Sequence, residues 1–420
     1  MIHYKRYPAL KDSGTEWIAR IPEHWSLGRI AQLGRLSKAN GGSKKDEKET
    51  GIPCVRYGDL YTTHSHFIRE INSFVDSETA TEYTQIHYGD VLFAASGETL
   101  EEIGKSAVNL TTDKACCGGD LIVLKPAKAI DDPVFLGYAL DCSISAAQKA
   151  TMGRGFTVVH IYADQLKNLT IAIPPAQEQQ LIGAALERET ARIDALIAKK
   201  TRFIKLLKEK RQVLITQAVT KGLDPKVKMK DSGVEWIGEV PAHWQVMRLT
   251  KCIGPIVDYR GRTPTKVDKG QFLVTAKNVR GGKIDYECSK EYVAPHSARQ
   301  LLERGGPEIG DLLFTMEAPL GQVAQIDRTD IALAQRIVKF RALETLLKNE
   351  FLLFWIMGSY CQAVLETLAT GSTALGIKAS KLGMIPVFLP PLDEQVGIIR
   401  FLQVECGGPQ VKDSFSQKLS

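Results

Sequence analysis

The sequence contains no long apolar run. No window of 18 consecutive apolar residues occurs in its 420 residues, and the N-terminal stretch MIHYKRYPALKDSG has no apolar core. A membrane-spanning helix needs about 20 apolar residues, and a secretory signal has an apolar segment of about 7–15. We therefore expect a cytoplasmic protein that is neither embedded in a membrane nor exported by a standard signal.

Cysteine is present without a pattern. No C-x-x-C pair occurs, and no histidine doublet with zinc-ligand spacing lies near a cysteine. A zinc site or a disulfide framework is therefore not expected, and scattered cysteines are typical of free thiols in a reducing cytosol. The eight cysteines are Cys54, Cys116, Cys117, Cys142, Cys252, Cys288, Cys361 and Cys406.

Several catalytic signatures are also missing. Residues 97–106, GETLEEIGKS, end like a phosphate-binding loop, but Thr99 stands where such a loop needs a glycine, five positions before Gly104. An adenine-methylase signature needs Asp or Asn before Pro-Pro-Tyr/Phe, whereas Ile173 and Leu389 precede the two Pro-Pro pairs. No G-x-G-x-x-G sequence follows a strand, and no nuclease-like set of carboxylates stands out. We therefore expect no catalytic, metal-binding or cofactor-binding residue in this chain.

Length and charge set broad limits. A mass of 46.4 kDa exceeds what one hydrophobic core usually supports, so at least two domains are expected. The content of 44% hydrophobic and 24% charged residues is that of an ordinary globular protein. A net charge of +6 permits a polyanionic partner without identifying one.

The chain repeats itself. KDSGTEWIARIPEHW (11–25) recurs as KDSGVEWIGEVPAHW (230–244), with ten of fifteen positions identical and an offset of 219. Further pairs follow in the same order: YGDVLF (88–93) with IGDLLF (309–314), GFT (155–157) with GST (371–373), and IPPAQEQ (173–179) with LPPLDEQ (389–395). Aligning Gly104 with Gly321 sets IGKSA against LGQVA, so the glycine turn is shared but the lysine and hydroxyl of a phosphate site are not. The chain therefore consists of two homologous halves.

Runs of β-branched and aromatic residues bounded by Gly, Asp or Pro predict the strands of each half. They are IPCVRYGDL, DVLFAAS and DLIVLKP in the first half, and QFLVTAKNV, DLLFTME and QRIVKFR in the second. One or two helices are predicted in each half, around DPVFLGYALDCSISAAQKA in the first and NEFLLFWIMGSYCQAVLETLA in the second. Each half is therefore predicted to be an α+β domain.

A long helix is predicted between the halves. Residues 177–219 contain no proline and one glycine, follow a Pro-Pro pair, and carry apolar residues at three-to-four spacing. A helix of about forty residues is roughly 60 Å long, so its apolar stripe is expected to pack on a partner helix as in a coiled coil, with GLDP (222–225) ending it. The second half starts a similar helix with EQVGIIRFLQVE (394–405), but the Gly-Gly-Pro in residues 406–420 breaks it.

These features together resemble a known family. Tandem halves opened by KDSG-x-E-W-I-x(3)-P-x-H-W, a G-D-x-L-F strand, a G-x-T turn, and P-P-x(2)-E-Q before a long helix are similar to the specificity subunit of type I restriction–modification enzymes. Each motif is weak alone, but their order and their duplication make the match specific. The resemblance covers nearly the whole chain and fails over residues 406–420.

The resemblance implies a sequence-specific DNA-binding subunit that is not itself an enzyme. Each half would be a target-recognition domain that reads one half of a split double-stranded DNA sequence, and the long helices would pair antiparallel as a spacer. Modification (methyltransferase) subunits bringing S-adenosylmethionine, and a restriction subunit using ATP and magnesium, would assemble on it. A spacer of roughly 60 Å exceeds one turn of B-DNA, about 34 Å, so the gap length should be part of the specificity.

Four segments follow from this comparison: 1–176, the first target-recognition domain; 177–223, the spacer helix; 224–390, the second target-recognition domain; and 391–420, a truncated distal helix and tail. The short distal helix leaves open a truncated, inactive or scaffold-only specificity subunit. A stand-alone nuclease would need a metal-binding set of carboxylates, which the sequence does not offer.

Basic, glycine-rich loops are the predicted DNA contacts, because Lys, Arg, hydroxyl and amide groups bind phosphates and base edges. Such loops are also ordinary solvated turns, and both interpretations stay open for each of them. Arg260, Arg262 and Lys266 have fewer acidic neighbours than the others. The candidates are Arg56, Tyr57, Arg154, Thr157, Arg260, Arg262, Lys266, Lys277, Asn278, Thr373 and Lys378.

Two further features have alternative interpretations. The duplicated tryptophans, Trp17, Trp25, Trp236 and Trp244, could stack on bases. Readers of different sequences would not need the same aromatic at the same place, so packing is favoured for these four residues and for the neighbouring His24 and His243. The basic run 199–211 could bind phosphates between the half-sites, or form the solvated, partner-binding face of a coiled coil.

Overall fold

The computed structural model describes residues 7–41, 44–127, 131–155, 157–233, 237–259, 264–371 and 375–406. It contains two compact units, Met1–Ala198 and Lys199–Ser420. Each unit combines short strands with helices, so the α+β prediction is confirmed. The division falls inside the predicted spacer helix, because each end of that helix packs on its own unit.

Short strands form two main sheets in the first unit. The described strands are β1 (Leu10–Asp12), β2 (Arg20–Pro22), β3 (Ser26–Arg29), β4 (Gly34–Lys38), β5 (Ile52–Val55), β6 (Phe67–Ile68), β7 (Phe74–Val75), β8 (Thr84–Ile86), β9 (Val91–Ala94), β10 (Ser96–Gly97), β11 (Ser106–Asn109), β12 (Ala115–Cys117), β13 (Leu121–Pro126), β14 (Val159–His160) and β15 (Thr170–Ile173). One sheet has the order β4-β13-β9-β11-β6 and the other β7-β5-β12-β8. Strand β9 is buried throughout, as a short apolar run between turn residues predicts.

Helices pack on these sheets, and the last of them, α6, continues beyond the end of the first unit. They are α1 (Ile30–Leu33), α2 (Tyr57–Thr62), α3 (Pro133–Asp141), α4 (Ser143–Met152), α5 (Ala163–Leu166) and α6 (Ala176–Lys221). The prediction of one or two helices near residues 132–150 is confirmed, and there are two, separated at Cys142, which has extended backbone angles.

The second unit repeats this order. Its described strands are β16 (Met229–Asp231), β17 (Glu239–Pro241), β18 (Gln245–Arg248), β19 (Val257–Asp258), β20 (Lys266–Val267), β21 (Gln271–Val274), β22 (Val279–Arg280), β23 (Lys283–Ile284), β24 (Tyr292–Val293), β25 (Leu312–Thr315), β26 (Val323–Gln325), β27 (Ile331–Leu333), β28 (Ile337–Phe340) and β29 (Pro386–Leu389). Its helices are α7 (Pro295–Leu302), α8 (Asn349–Met357), α9 (Ser359–Leu368), α10 (Ala379–Leu382) and α11 (Leu392–Cys406). The sheets have the orders β19-β28-β25-β26 and β20-β24-β21-β27, which match the central strands of the first unit.

The predicted long helix is confirmed as α6, a helix of 46 residues. It ends where Gly222 adopts a left-handed φ of 75°, a conformation that favours glycine after a helix. Near its C-terminus Ile215, Ala218 and Val219 are buried in the core of the second unit. Farther back, apolar side chains such as Phe203 are more than half exposed.

The repeated motifs meet at the start of α6 in the first unit. The Glu178 carboxylate accepts a hydrogen bond from Trp25 Nε1 at 2.6 Å and lies 2.9 Å from His24 Nε2. The His24 contact is the main reason why the pKa of Glu178 lies below its ordinary value. The carboxylate therefore joins the P-x-H-W segment to the first turn of α6.

The same contact recurs at the start of α11. Glu394 accepts a hydrogen bond from Trp244 Nε1 at 3.1 Å and lies 2.7 Å from His243 Nε2. Trp244 is fully buried, so the packing interpretation is confirmed for this residue. Trp25 and Trp17 are half-buried, and Trp236 lies outside the described residues.

The glutamine after each of these glutamates is buried and bonded to main-chain groups. Gln179 donates to Pro174 O at 3.0 Å and accepts from Asp131 N at 3.2 Å. Gln395 donates to Pro390 O at 2.9 Å and accepts from Lys348 N at 2.9 Å. The duplicated P-P-x-x-E-Q motif is therefore a structural clamp at each helix start.

Helix α11 confirms the predicted short C-terminal helix, and residues 407–420 lie outside the described part of the chain. Among the described residues, no single helix has the length and apolar character needed to cross a membrane. The bent pair α8–α9 passes the test of length and composition only when its two helices are taken together.

Candidate nucleic-acid interface

Arg56 and Tyr57 lie where β5 ends and α2 begins. The predicted strand is shorter than expected, because Arg56 N donates to Asp59 Oδ2 at 2.8 Å and this contact caps a helix at Tyr57. Arg56 Nη1 donates to Glu47 Oε2 at 2.7 Å, and the Arg56 side chain is 18% exposed. In the described part of the chain, Arg56 Nη2 is buried without a hydrogen-bond partner.

Tyr57 is an exposed aromatic beside Tyr61. Its ring is 44% exposed and meets the ring of Tyr61 edge-on at 6.5 Å. Burial raises the pKa of Tyr61 to about 12, so this phenol stays protonated at neutral pH and donates to Ser96 O at 2.9 Å. Tyr57 is therefore available to a ligand, whereas Tyr61 supports it.

Asn278 is not available to a ligand in this structure. Its side chain is fully buried, and Oδ1 accepts from Thr275 N at 2.9 Å. Its Nδ2 donates to Asp285 O and Ser289 O. The side chain of Asn278 thus caps the turn that corresponds to the one capped by Asp59 in the first unit. The predicted DNA contact of Asn278 is therefore corrected to a structural role. Its exposed neighbour Lys277 remains a candidate.

Lys266 and Lys277 line one cavity of the second unit. Its volume is about 250 Å³, and the polar groups around it come from separate strands and turns. Lys266 Nζ lies 2.7 Å from Glu291 Oε2, with the lysine side chain 60% exposed and the glutamate 20% exposed. Beside them, Arg336 Nε lies 3.0 Å from Glu317 Oε1. The polar lining is Lys266, Thr275, Lys277, Glu291, Gln335 and Arg336.

Arg154 and Thr157 are exposed on the G-x-T turn of the first unit. Arg154 and His160 exchange two backbone hydrogen bonds of 2.9 and 2.8 Å across this turn. Gly155 has a φ of 127°, and a Cβ there would lie 2.0 Å from Val158 O, so glycine is required at this position. The turn therefore presents Arg154 and Thr157 to solvent.

The corresponding turn of the second unit also has glycine at φ 127°, at Gly371. Lys378 is exposed and precedes α10. Three further candidates, Arg260, Arg262 and Thr373, lie outside the described residues. Within the described part of the chain, no group of three or more His, Cys, Asp or Glu side chains could hold a metal ion.

Comparison with known proteins identifies the family. Residues 22–206 and 306–404, more than half of the chain, match the family model described as the type I restriction modification DNA specificity domain. The chain belongs to this specificity family.

Similar proteins extend over most of the chain. The EcoKI specificity subunit of Escherichia coli (strain K12) is 22% identical over 400 residues, which cover 91% of this chain and 82% of that protein. The MjaVIII specificity subunit of Methanocaldococcus jannaschii is 25% identical over 393 residues, covering 90% and 84%.

Solved structures show the same fold. A chain from a structural study of complex assembly and conformational transition of the type I R-M system has a TM-score of 0.66, with 17% identity and coverage of 91% of this chain and 90% of that one. The HsdS subunit of Thermoanaerobacter tengcongensis has a TM-score of 0.50, with 18% identity and coverage of 92% and 90%. The two-domain fold expected of a specificity subunit is therefore confirmed.

The family match is uneven across this specificity-family chain. It covers most of the first unit, but residues 207–305 of the second unit lie outside it. Lys266, Lys277 and Glu291 all fall in that gap. The cavity is therefore lined partly by residues outside the matched ranges, such as Lys266 and Glu291, and partly by residues inside them, such as Gln335 and Arg336.

Sequence reasoning missed Glu291, Glu317 and Arg336. Glu291 is separated from its partner Lys266 by 24 intervening residues, and no local pattern links them. A search for basic loops also passes over an acidic residue. Only the pairing of β20 with β24 brings this lysine and this glutamate together.

Proposed function

We propose that this chain is the sequence-specific DNA-binding subunit of a type I restriction–modification complex. Each unit reads one half of a split double-stranded sequence, and the chain positions the modification and restriction subunits without performing chemistry itself. S-adenosylmethionine, ATP and magnesium belong to those partner subunits. The protein acts in the cytoplasm, where its DNA lies.

The duplication carries this proposal. Both units keep the Glu–Trp–His contact at a helix start, with Glu178 in one and Glu394 in the other. The sequences at the G-x-T turn differ, with GRGFT (153–157) in one unit and TGSTA (370–374) in the other. A common scaffold with different loops is what the recognition of two unlike half-sequences requires, because base contacts come from loops that a rigid scaffold positions.

Exposed cations give each unit the groups that bind DNA. Arg154 in the first unit and Lys277 in the second are exposed, as is Lys378. Lysine and arginine neutralise phosphates and make binding dependent on salt. A truncated, scaffold-only subunit gains no support, since the similarity to specificity subunits extends over 91% of the chain.

The test is to co-produce the chain with the modification subunits of its system and to map adenine methylation across a genome. We expect methylation at one split motif with a fixed gap. A matched preparation without this chain should leave that motif unmethylated. Methylation that does not depend on the chain, or that follows a continuous motif, would contradict the proposal.

A further inference from the structure

Glu291, which lines the cavity of the second unit, has a corresponding residue in the first unit. Cys54 N donates to Ser73 O at 2.8 Å, and Leu273 N donates to Glu291 O at 2.8 Å. These two hydrogen bonds occupy the same place in β5 and β21, which are the corresponding strands of the two units. Glu291 therefore stands where the first unit has Ser73.

A second pair of main-chain hydrogen bonds shows which residue of the first unit corresponds to Arg336. Ala95 N donates to Asp120 O and Met316 N donates to Arg336 O, each at 2.9 Å. Arg336 therefore replaces an aspartate. Its own backbone has a φ of 76°, which is uncommon for a residue other than glycine, and such conformations are concentrated at functional sites.

The third position is Lys266. Val267, the residue after Lys266, pairs with the first residue of β24, and Lys48, the residue after Glu47, forms a bridge to the first residue of β7. Because β24 corresponds to β7, Lys266 corresponds to Glu47. In the first unit Glu47 is paired with Arg56 at 2.7 Å, whereas in the second Lys266 is paired with Glu291 at 2.7 Å. Each unit thus has an ion pair at this corner, but within the pair only the Glu47/Lys266 position reverses its charge, because the partners Arg56 and Glu291 come from different positions of the scaffold.

This difference in charge distinguishes the corner around Lys266 and Glu291 from the duplicated contacts that are the same in both units. The duplicated Glu–Trp–His contact keeps the same residue types in both units because it holds a helix start. A surface that binds the same partner in both units would be expected to keep its charges as well. The charge reverses at two positions, Glu47/Lys266 and Asp120/Arg336, and Glu291 replaces the neutral Ser73. Such changes at corresponding positions fit a surface that must recognise different chemistry in each half-site.

We propose that Glu291 is a specificity-determining residue of the second unit. Its carboxylate accepts a hydrogen bond from the exocyclic amino group of a cytosine or an adenine in the half-site that this unit reads. The inference rests on the proposed function and adds to it a residue and a ligand group. These amino groups are the base donors that DNA presents in its major groove, and a carboxylate is an acceptor.

The geometry gives Glu291 the capacity for such a contact. Oε1 is 3.4 Å from Ser289 Oγ, and Oε2 is 2.7 Å from Lys266 Nζ. Oε2 is buried, so the acceptor capacity that remains for a base lies on Oε1, which has two lone-pair sites. Glu291 lines the cavity of about 250 Å³. Lys266 is 60% exposed and can turn from Glu291 to a phosphate of the same DNA, as Lys277 beside it can.

The test uses the full chain with its modification subunits and a duplex DNA library that is randomised across both half-sites. Adenine methylation is read by sequencing. Glu291→Met keeps the side-chain length and removes the acceptor. It should lower discrimination at one base position of one half-site about tenfold, the lower part of the range for a good base contact, while the other half-site and the gap stay unchanged.

Glu308→Met is the matched control. Glu308 is 72% exposed, lies 3.7 Å from Arg341 Nη2, and precedes β25, whereas the cavity lies beyond the other end of that strand. This variant should leave both half-sites unchanged. Unchanged base preference in Glu291→Met, with melting like that of the unmodified chain, overturns the inference; so does an equal loss in both half-sites, because that pattern indicates a structural role.

A second variant keeps the test decisive if Glu291→Met does not fold. Glu291→Gln keeps the size of the side chain but replaces one acceptor oxygen with an amide that donates. It should change the base preference at the same single position, because an amide donates where a carboxylate only accepts. Unaltered base choice in this variant overturns the inference. If the unmodified chain directs no methylation, the proposed function fails first, which is a different result.

Discussion

The two units place an aspartate in the same turn but surround it differently. Asp311 follows Gly310, is buried, and pairs with Lys339 Nζ at 2.5 Å and Arg341 Nε at 2.6 Å. Asp90 follows Gly89 and is also buried, but burial raises its pKa. Repetition therefore preserved the backbone turn and not the charges around it.

The shared part of this comparison is a main-chain contact. His87 N donates to Asp90 Oδ2 at 2.9 Å, and Glu308 N donates to Asp311 Oδ2 at 3.3 Å. The aspartate is thus needed by the turn in both units. What lies on the neighbouring strand β13 or β28 is free to differ, because another side chain can fill the same space.

The largest difference is expected for the duplicated tryptophans. Trp244→Ala should cost the second unit about 3–5 kcal/mol of unfolding free energy, because the side chain is fully buried. Trp25→Ala removes the equivalent hydrogen bond to a glutamate but empties a half-buried site, so a smaller loss is expected in the first unit. Chemical denaturation followed separately in each unit measures both. Equal losses would show that the hydrogen bond, and not burial, dominates.

Removal of the Asp311 charge should have the next largest effect. Asp311→Asn leaves Lys339, which is only 8% exposed, without its carboxylate. Loss of one partner of a buried ion pair costs about 3 kcal/mol or somewhat more. The thermal transition of the second unit should fall accordingly. Lys339→Met in the same background should recover part of the loss, and the absence of any recovery would contradict the ion-pair explanation.

Asp90→Asn should change the free energy of unfolding least, and it should raise that free energy, whereas the other variants lower it. A carboxyl group whose pKa is raised in the folded state stabilises it fully below the ordinary pKa of about 3.9, and this contribution is lost as the pH rises through the raised value. The asparagine variant should therefore gain stability relative to the unmodified chain between acid and neutral pH. Urea denaturation across that range measures the difference, and a difference independent of pH would refute the burial effect.

Much of the fold follows from local sequence. The apolar runs of β9, β13, β25 and β28 are bounded by turn residues, and α6 lies within two residues of its predicted ends. Period and turn chemistry suffice for these elements, because each depends on neighbours a few positions away. The choice between one helix and two for residues 132–150 stayed open, because no proline or glycine marks the break at Cys142.

The candidate interface was less predictable. Asn278 reads as a polar loop residue, yet it is fully buried and bonded to main-chain groups of residues 285 and 289. Arg56 reads as a free loop cation, yet it is paired with Glu47. Exposure and pairing depend on residues that approach only after the chain has folded, which a local pattern does not encode.

The duplication, the α+β character of each half, the long helix and the family could all be predicted from the amino-acid sequence, because they depend on order, spacing and periodicity along the chain. The tertiary structure alone decided which polar side chains are exposed and which are paired. It buried Asn278, joined Glu178 to Trp25 and brought Lys266 to Glu291. The physical reason is that burial and ion pairing are set by contacts between residues that lie far apart in sequence.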